Sequence, residues 1–336
     1  MQTPVHKMTP NNVCLFSRRD LLICSLGSSF SSALVAQRNY PDRPIKAIIP
    51  NSPGSSVDTI GRLVVNEVSK LIGQPLVIDN RAGAAGAIGV EATRSALADG
   101  YSVLIGSSSA VSVAPFLQKA VTYQPLRDFD LIALVALLPN VLVCHPSLPV
   151  NSVTQFLAYA RNKNGDTKMA SAGLGSVSHL AGAALQVAGG FESLHVPYRG
   201  GSQGVASVVS GETDWVLTPA PAAMSLVAGK RLKLLGHSLA PAHHPLGNTP
   251  SIGSELTGFE FASWIGLMGP TGMPASVVSL LNKTVGQALQ SPSLAKALET
   301  HGAIAKSSTP EEFRTYLTKD LDTTRRAVQA ANVKPE

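Results

Sequence analysis

The chain has 336 residues, of which 44% are hydrophobic and 14% charged, and it contains three cysteines. This composition excludes an intrinsically disordered chain, which needs more charge, and a disulfide-stabilised scaffold, which needs more cysteine. The formal net charge of +6 is small and scattered. It argues against a nucleic-acid-binding surface and is compatible with an anionic ligand.

The first 36 residues are predicted to be an export signal, removed from the mature protein. The Arg18-Arg19 pair precedes a serine-containing apolar stretch, residues 21–35, that is too short to span a bilayer stably. The pattern resembles a bacterial twin-arginine signal peptide cleaved after Ala36, with an ordinary secretory signal as the alternative. We therefore expect the mature protein in the periplasm.

From residue 45 onward, apolar patterns predict strands that alternate with helices. The predicted strands are residues 45–49, 76–78, 101–105, 141–144, 168–171, 195–198, 215–217 and 232–237. The predicted helices are residues 57–72, 90–97, 153–160 after the cap Ser152, 177–189, a segment ending at Gly211, a segment after Pro274, and one that follows the Thr309–Glu312 capping box. This rhythm is typical of an α/β fold with mostly parallel sheets flanked by helices.

The predicted elements divide the mature chain into two domains. The middle block, residues 143–256, has strands and helices of its own. The last helices have no predicted strands, so they need to pack on the first block. We therefore expect a discontinuous domain 1, residues 37–142 and 257–336, with domain 2 inserted between its parts. The single thiol of the mature chain, Cys144, is expected to be a small core residue of a buried strand.

Four loops of small residues each follow a predicted strand and precede a helix: residues 51–58, 82–86, 107–109 and 172–176. Such loops gather at the carboxyl edge of a parallel sheet, where ligands bind. The helix starts there supply unpaired N–H groups that suit a carboxylate or a phosphate. The alternative interpretation is that these are ordinary turns with serine N-caps.

Two polar residues near these loops have a structural and a functional interpretation. Asp58 either holds the first loop, which is favoured, or receives an amino group of a ligand. His179 is expected to brace its loop and not to catalyse. The histidines show no metal-ligand spacing with cysteine or glutamate, and neither a dinucleotide fingerprint nor a Walker loop is present, so we expect no metal and no cofactor.

One motif suggests catalysis. Residues 200–204 match G-x-S-x-G, the nucleophile turn of many hydrolases, with Ser202 as the nucleophile. Asp214, with His237 or His243, would complete a triad. The preceding strand contains a proline, which is unusual for the buried strand of a hydrolase, so a serine hydrolase is kept only as an alternative.

The loops also occur in a recognisable order. The ordered segments are Pro44–Pro50 with Pro53-Gly54 and Asp58, Gly73–Gly86, Pro125–Phe129, Ala170–Leu180, His195–Gly200 and Trp264–Pro270. Together they resemble the Bug family of tripartite tricarboxylate transporter substrate-binding receptors, from about Tyr40 to the C-terminus.

The resemblance implies a type II periplasmic binding protein, in which two α/β lobes close like a hinged clamp on a ligand in the cleft. It implies no catalysis. The ligand would be a small carboxylate: a dicarboxylate, a tricarboxylate, an amino acid or an aromatic acid. The ligand-binding positions would be Gly54, Ser55, Ser56, Asp58, Ala84, Ala85 and Gly86 of the first lobe, Ser108 and Ser109 at the floor, and Ala172, Gly173, Ser176, Tyr198 and Thr218 of the second lobe.

The chain departs from the family at the first loop, where Gly54-Ser55 replaces a usual Gly-Gly pair and Asn51 stands near a usually bulky position. The hydroxyl and the amide gained there leave room for a more polar ligand. Arg199 replaces the family's lysine. The expected partner is a three-component membrane carrier, with a ligand-presenting sensor subunit as the alternative role. We expect a monomer that binds no nucleic acid.

Overall fold

The computed structural model describes residues 40–241 and 246–330; the predicted export signal, residues 1–36, and His243 lie outside them. Residues 43–330 form an α/β fold. Its strands are β1 (Ile45–Ile49), β2 (Leu76–Asn80), β3 (Ser102–Ser107), β4 (Phe129–Cys144), β5 (Gly165–Ser171), β6 (Ser193–Pro197), β7 (Trp215–Pro219), β8 (Lys233–His237), β9 (Ala262–Pro270) and β10 (Ile304–Ala305).

The helices flank these strands. They are α1 (Ser56–Ile72), α2 (Ala87–Arg94), α3 (Ala114–Leu117), α4 (Pro125–Asp128), α5 (Val153–Asn162), α6 (Val177–Gly189), α7 (Gly201–Ser210), α8 (Met224–Ala228), α9 (Ala275–Leu289), α10 (Pro292–Thr300) and α11 (Pro310–Ala330). Short helical turns occupy Ala84–Gly86, Ser108–Val113, Ala220–Ala222 and Ile252–Ser254. In the described part of the chain, no helix combines the length and the apolar character that a bilayer crossing needs.

Strand β4 carries the sheet from one lobe into the other. The strand order is β2-β1-β3-β9-β4-β7-β5-β6, and β8 and β10 also pair with β4. Up to Pro139, β4 pairs antiparallel with β9; from Asn140 to Cys144 it pairs antiparallel with β7 and, from Val141, with β8. Strands β1 to β3 are mutually parallel, as are β5 to β7. The first lobe therefore contains β1–β3, β9 and β10, and the second contains β5–β8.

Local signals in the sequence explain where the principal helices begin and end. The side chain of Ser55 caps α1 by accepting a hydrogen bond from Asp58 N, and Gly73 ends the helix with a φ of 75°. Thr309 and Glu312 form the predicted capping box at the start of α11, because each accepts a hydrogen bond from the other's backbone N–H.

Each lobe has an aromatic core. In the second lobe Phe156, Phe191 and Trp215 pack edge to face or tilted, with ring centroids 5.3–5.8 Å apart. Cys144 belongs to this cluster and is fully buried, and burial raises the pKa of its thiol to about 11. The prediction that Cys144 is a small core residue of a buried strand is confirmed. In the first lobe, Trp264 packs edge to face on Phe313 of α11.

Two local predictions were wrong. The last helices do have strands, since β9 precedes α9 and β10 lies between α10 and α11. Both strands pair with residues far away in the sequence, which a local pattern does not show. The helix predicted at residues 90–97 spans Ala87–Arg94. The Ser107–Ser109 segment follows β3 and opens the helical segment Ser108–Val113, as predicted.

The two lobes touch at several points. Ser56 Oγ donates a hydrogen bond to Pro219 O at 3.3 Å, from the first lobe to the second. Val113 and Leu117 pack in one buried cluster with Val177 and Leu180 of α6. Where the chain passes between the lobes, the Asn140 side chain donates to the Phe261 carbonyl at 2.7 Å and so links the two crossing segments.

Candidate functional site

A chamber of about 70 Å³ lies between the lobes, at the carboxyl ends of parallel strands. The first lobe contributes residues at the ends of β1 and β3 and residues of β4 and β9, and the second lobe contributes residues at or after the ends of β5, β6 and β7. Its walls are Asn51, Ser55, Ser56, Val57, Ser107, Ser108, Ser109, Leu138, Ser263 and Trp264 from the first lobe and Ala172, Ser176, Val177, Ser178, Gly201, Thr218 and Pro219 from the second. This position is where open α/β sheets bind ligands.

The chamber wall is rich in hydroxyl groups. Serine and threonine make up about half of the described residues that line it, and none of those residues carries a charged side chain. A carboxylate enclosed here would depend on hydroxyls and backbone amides, because no arginine or lysine of the described wall meets it.

Three helices of ten or more residues begin at this wall: α1, α6 and α7. The first amides of a helix have no acceptor within it, and the end carries a partial positive charge. Ser55 caps the amide of Asp58, and Ser176 caps that of His179. The two preceding amides of α1 and α6 remain without an acceptor inside their helix, which makes this end of the chamber attractive to an anion.

The first loop is held by Asp58, which does not line the chamber. Its carboxylate accepts hydrogen bonds from Gly54 N at 2.9 Å, Asn80 Nδ2 at 2.8 Å and Arg62 Nε at 2.9 Å. Burial alone would raise the pKa of this carboxyl group, but the hydrogen bonds from Arg62, Gly54 and Asn80 outweigh it and the pKa is lowered. The favoured interpretation of Asp58 as a loop brace is confirmed.

A second set of hydrogen bonds fixes the loop between β5 and α6. Ser176 Oγ donates to Gly173 O at 2.7 Å, Ala172 N donates to Ser178 Oγ at 2.8 Å, and Gly175 N donates to His179 Nδ1 at 3.3 Å. The prediction that His179 braces this loop is therefore confirmed.

Behind this loop, His179 stacks on His195. The ring centroids lie 4.1 Å apart and the planes are inclined by 2°. A 2.7 Å hydrogen bond joins His195 Nε2 to Ser171 Oγ. Burial lowers the pKa of His179, and burial together with the neighbouring His179 lowers that of His195 to about 4. Both rings are therefore neutral at pH 7 and pack as a stacked pair.

An outer recess of about 680 Å³ lies beside the chamber and shares its loops. In the loop after β5, Ala172 lines the chamber and Gly173 lines the recess. In the loop before α7, Gly201 lines the chamber and Arg199 lines the recess. Ala84 and Ala85, both in left-handed conformation, form the opposite side. The exposed Arg199 is the charged side chain among the described residues that line this recess.

The structure places the fourteen predicted ligand-binding residues in three groups. Lining the chamber are Ser55, Ser56, Ser108, Ser109, Ala172, Ser176 and Thr218. Lining the recess are Ala84, Ala85, Gly173 and Tyr198. Gly54, Asp58 and Gly86 line neither.

Gly86 acts through the backbone. A Cβ at this position would lie 2.6 Å from that of Ala110 and 3.1 Å from Pro50 O, and the φ of 101° is one that residues other than glycine rarely adopt. Glycine thus lets this loop pass close to the start of the helical segment at Ser108.

Ser107, Ser178, Ser263 and Trp264 line the chamber but were not predicted as ligand-binding residues. Ser107 and Trp264 stood in segments that the sequence singled out. Ser263 follows the lobe crossing, and only the pairing of β9 with β4 brings it to the site.

Two residues of the suggested hydrolase triad, Asp214 and His237, have hydrogen-bonding partners within the second lobe. Ser202 lies in the first turn of α7. The Asp214 carboxylate accepts a hydrogen bond from Lys168 N at 2.7 Å, and the buried His237 accepts one from Leu239 N at its Nδ1. Within residues 40–241 and 246–330, no group of three or more His, Cys, Asp or Glu side chains could hold a metal ion.

Two lobes sharing one sheet, with a chamber at the carboxyl ends of their strands, are the architecture of a two-lobed solute-binding protein. Comparison with known proteins gives the family. Residues 60–333 match the model of the tripartite tricarboxylate transporter family receptor, TctC. The chain belongs to this family, whose members are receptors and not enzymes.

Individual relatives agree with this assignment. The chain is 32% identical to the protein BugT of Bordetella pertussis, over 86% of this chain and 90% of BugT. It resembles the structure of R. palustris Rpa4515 with adipate, with a TM-score of 0.85, 28% identity, and coverage of 89% of this chain and 100% of that one. It also resembles MatC of Rhodopseudomonas palustris with bound malate, with a TM-score of 0.79, 25% identity and coverage of 86% and 100%.

Proposed function

We propose that this chain is an exported receptor that encloses a small organic carboxylate between its lobes and delivers it to a membrane carrier. The observation that carries the proposal is that three helices begin at the wall of one chamber. This wall is rich in hydroxyl groups, and none of its described residues has a charged side chain. Such a wall fits a carboxylate and contains no described acid–base pair for catalysis.

The binding free energies expected from these groups are sufficient for micromolar affinity. One helix N-terminus contributes about 0.3–1 kcal/mol to holding an anion in the open and up to about 2 kcal/mol in a partly buried site. Hydrogen bonds to a charged group add about 1.5–3 kcal/mol each. Three helix starts and several hydroxyls therefore suffice to approach the roughly 8 kcal/mol of micromolar binding, after the entropic cost of association.

The relatives support the ligand class. Rpa4515 has been solved with adipate and MatC with malate, and both ligands are carboxylates. In this chain we assign direct contact to the predicted residues that line the chamber, and a role at its outer edge to Ala84, Ala85, Gly173 and Tyr198.

The remaining parts of the proposal follow the family. Residues 1–36 would direct export to the periplasm, and the mature receptor would act as a monomer. The domain boundaries, residues 37–142 with 257–336 and residues 143–256, lie close to the positions where β4 changes partners and β9 begins.

Thermal-shift screening tests the binding step. Organic acids are compared with their neutral amides at equal concentration. We expect an acid to raise the melting temperature, with a stabilisation of about 2.7 kcal/mol at a hundredfold excess over Kd, and its amide to have little effect. Equal shifts with acid and amide, or no shift with any acid, would contradict carboxylate binding.

Uptake of the labelled acid by cells lacking the gene tests the delivery step. Loss of uptake, restored by the wild-type gene, supports a carrier partner. Unchanged uptake in the presence of a receptor that binds the acid would contradict delivery while leaving binding intact.

A further inference from the structure

Two buried polar atoms in the chamber have no hydrogen-bond partner among the described residues. They are Asn51 Oδ1 and Ser107 Oγ, and Ser107 is only 4% exposed. A buried polar atom that stays unpaired costs free energy, so native structures almost always pair such atoms. A ligand that pairs both is therefore favoured over one that leaves them unpaired.

The two residues stand at the ends of paired parallel strands, Asn51 two residues beyond β1 and Ser107 as the last residue of β3. Lys46 of β1 is opposite Ser102 of β3, and Ile48 is opposite Leu104. The β1–β3 register extends to Ile48 and Leu104, and beyond it Asn51 and Ser107 both line the chamber. The backbone of Asn51 is held because its carbonyl accepts a hydrogen bond from Asn80 Nδ2 at 3.0 Å.

The chemistry of this pair fits a hydroxyl group. Asn51 Oδ1 only accepts hydrogen bonds, while Ser107 Oγ can also donate one. A ligand hydroxyl can donate to the first and accept from the second. A methylene group pairs with neither. An ammonium group only donates, and it would be buried with no carboxylate among the described residues of the wall.

The chamber is small, at about 70 Å³, which favours a compact acid over an aromatic acid or a long dicarboxylate.

We infer that the ligand is a short hydroxy acid: its carboxylate lies at the starts of α1 and α6, and its hydroxyl pairs with Asn51 and Ser107. This inference rests on the proposed function and narrows its ligand class from carboxylates in general. It separates this chain's ligand from amino acids, aromatic acids and unsubstituted acids.

Titration calorimetry with two matched series tests the inference. The series are lactate, propionate and alanine, and malate, succinate and aspartate, with both enantiomers of each chiral member. In at least one series we expect the hydroxy acid to bind roughly 10- to 100-fold more tightly than the other two. Equal affinities, or a preference for the amino or unsubstituted member, would overturn the inference while leaving carboxylate binding standing. If no acid binds, the proposed function fails as well.

The Asn51→Leu variant then tests the residue. Its side chain has nearly the same shape without the acceptor, and we expect the preference for the hydroxy acid to fall below about threefold. Ser107→Ala provides a second variant should Asn51→Leu not fold. Asn162→Leu, at the exposed end of α5, is the matched control and should keep the full preference. An unchanged preference in a folded Asn51→Leu or Ser107→Ala protein would refute the assignment.

Discussion

Replacement of Asp58 by alanine should destabilise the first lobe and weaken ligand binding together. The side chain is 5% exposed and accepts hydrogen bonds from Gly54 N and Asn80 Nδ2, in addition to its pairing with the half-exposed Arg62. Hydrogen bonds to a charged group are worth about 1.5–3 kcal/mol each, and an ion pair with an exposed partner at most about 1 kcal/mol. We therefore expect a loss of about 3–5 kcal/mol in the free energy of unfolding, because the donors lose their acceptor.

Urea unfolding followed by tryptophan fluorescence measures this loss. Asp79→Ala is the matched control, since the partly exposed Asp79 pairs with the exposed Arg81 and its removal should cost at most about 1 kcal/mol. The Asp58→Ala variant should also bind the ligand acid about tenfold more weakly, because the loop that starts α1 is no longer held. A loss below about 1 kcal/mol with unchanged affinity would refute the bracing role.

The pH dependence of the same variant gives an independent check. The pKa of Asp58 is lowered in the folded protein, so the unfolded chain takes up the proton first. The stability that Asp58 contributes is present above about pH 3.9 and is lost as the pH falls from there through the folded pKa. The free energy of unfolding of the wild type should fall on acidification through this range. That of Asp58→Ala should not show this fall.

Three further predictions concern the second lobe. Arg199→Ala should slow association of the acid at low salt several-fold, with the difference vanishing near 1 M salt in stopped-flow measurements; an equal effect at all salt concentrations would contradict steering. The pKa of His195 is lowered to about 4, so the stability of the wild type should fall as the pH drops from about 6.5 towards 4. The melting temperature of a His195→Asn variant should depend less steeply on pH over this range. Identical slopes for the two proteins would refute this. Ser176→Ala should lower the free energy of unfolding, measured in urea, by about 1 kcal/mol. An unchanged free energy of unfolding would mean that the α6 cap is dispensable.

The sequence predicted the elements whose signals are local. Ser55, Ser176 and Thr309 each stand where a helix begins, and the apolar spacing that follows each cap marks the buried face. The small-residue loops were placed correctly at strand ends, and several of their serines do line the chamber.

Features that depend on distant pairing were not predictable in this way. The run from Phe129 to Cys144 is almost continuously apolar, which does not distinguish one long strand from shorter ones. That β4 serves both lobes depends on β9, more than a hundred residues later. The distinction between Gly54, which only shapes the loop, and Ser55, which lines the chamber, needed the backbone path.

The unpaired polar atoms of Asn51 and Ser107 are also a feature that local sequence patterns could not predict. Nothing in either local segment indicates that the two residues line one chamber. Only the folded chain brings both to its wall and shows that neither polar atom has a described partner.

A crystal structure with the acid that stabilises the protein most is the most direct test of the central claim. We predict a carboxylate oxygen within about 3.2 Å of backbone nitrogens at the starts of α1 and α6, with both lobes contacting the ligand. A ligand whose carboxylate faces solvent, or that lies in the outer recess with the chamber filled by side chains, would contradict the claim.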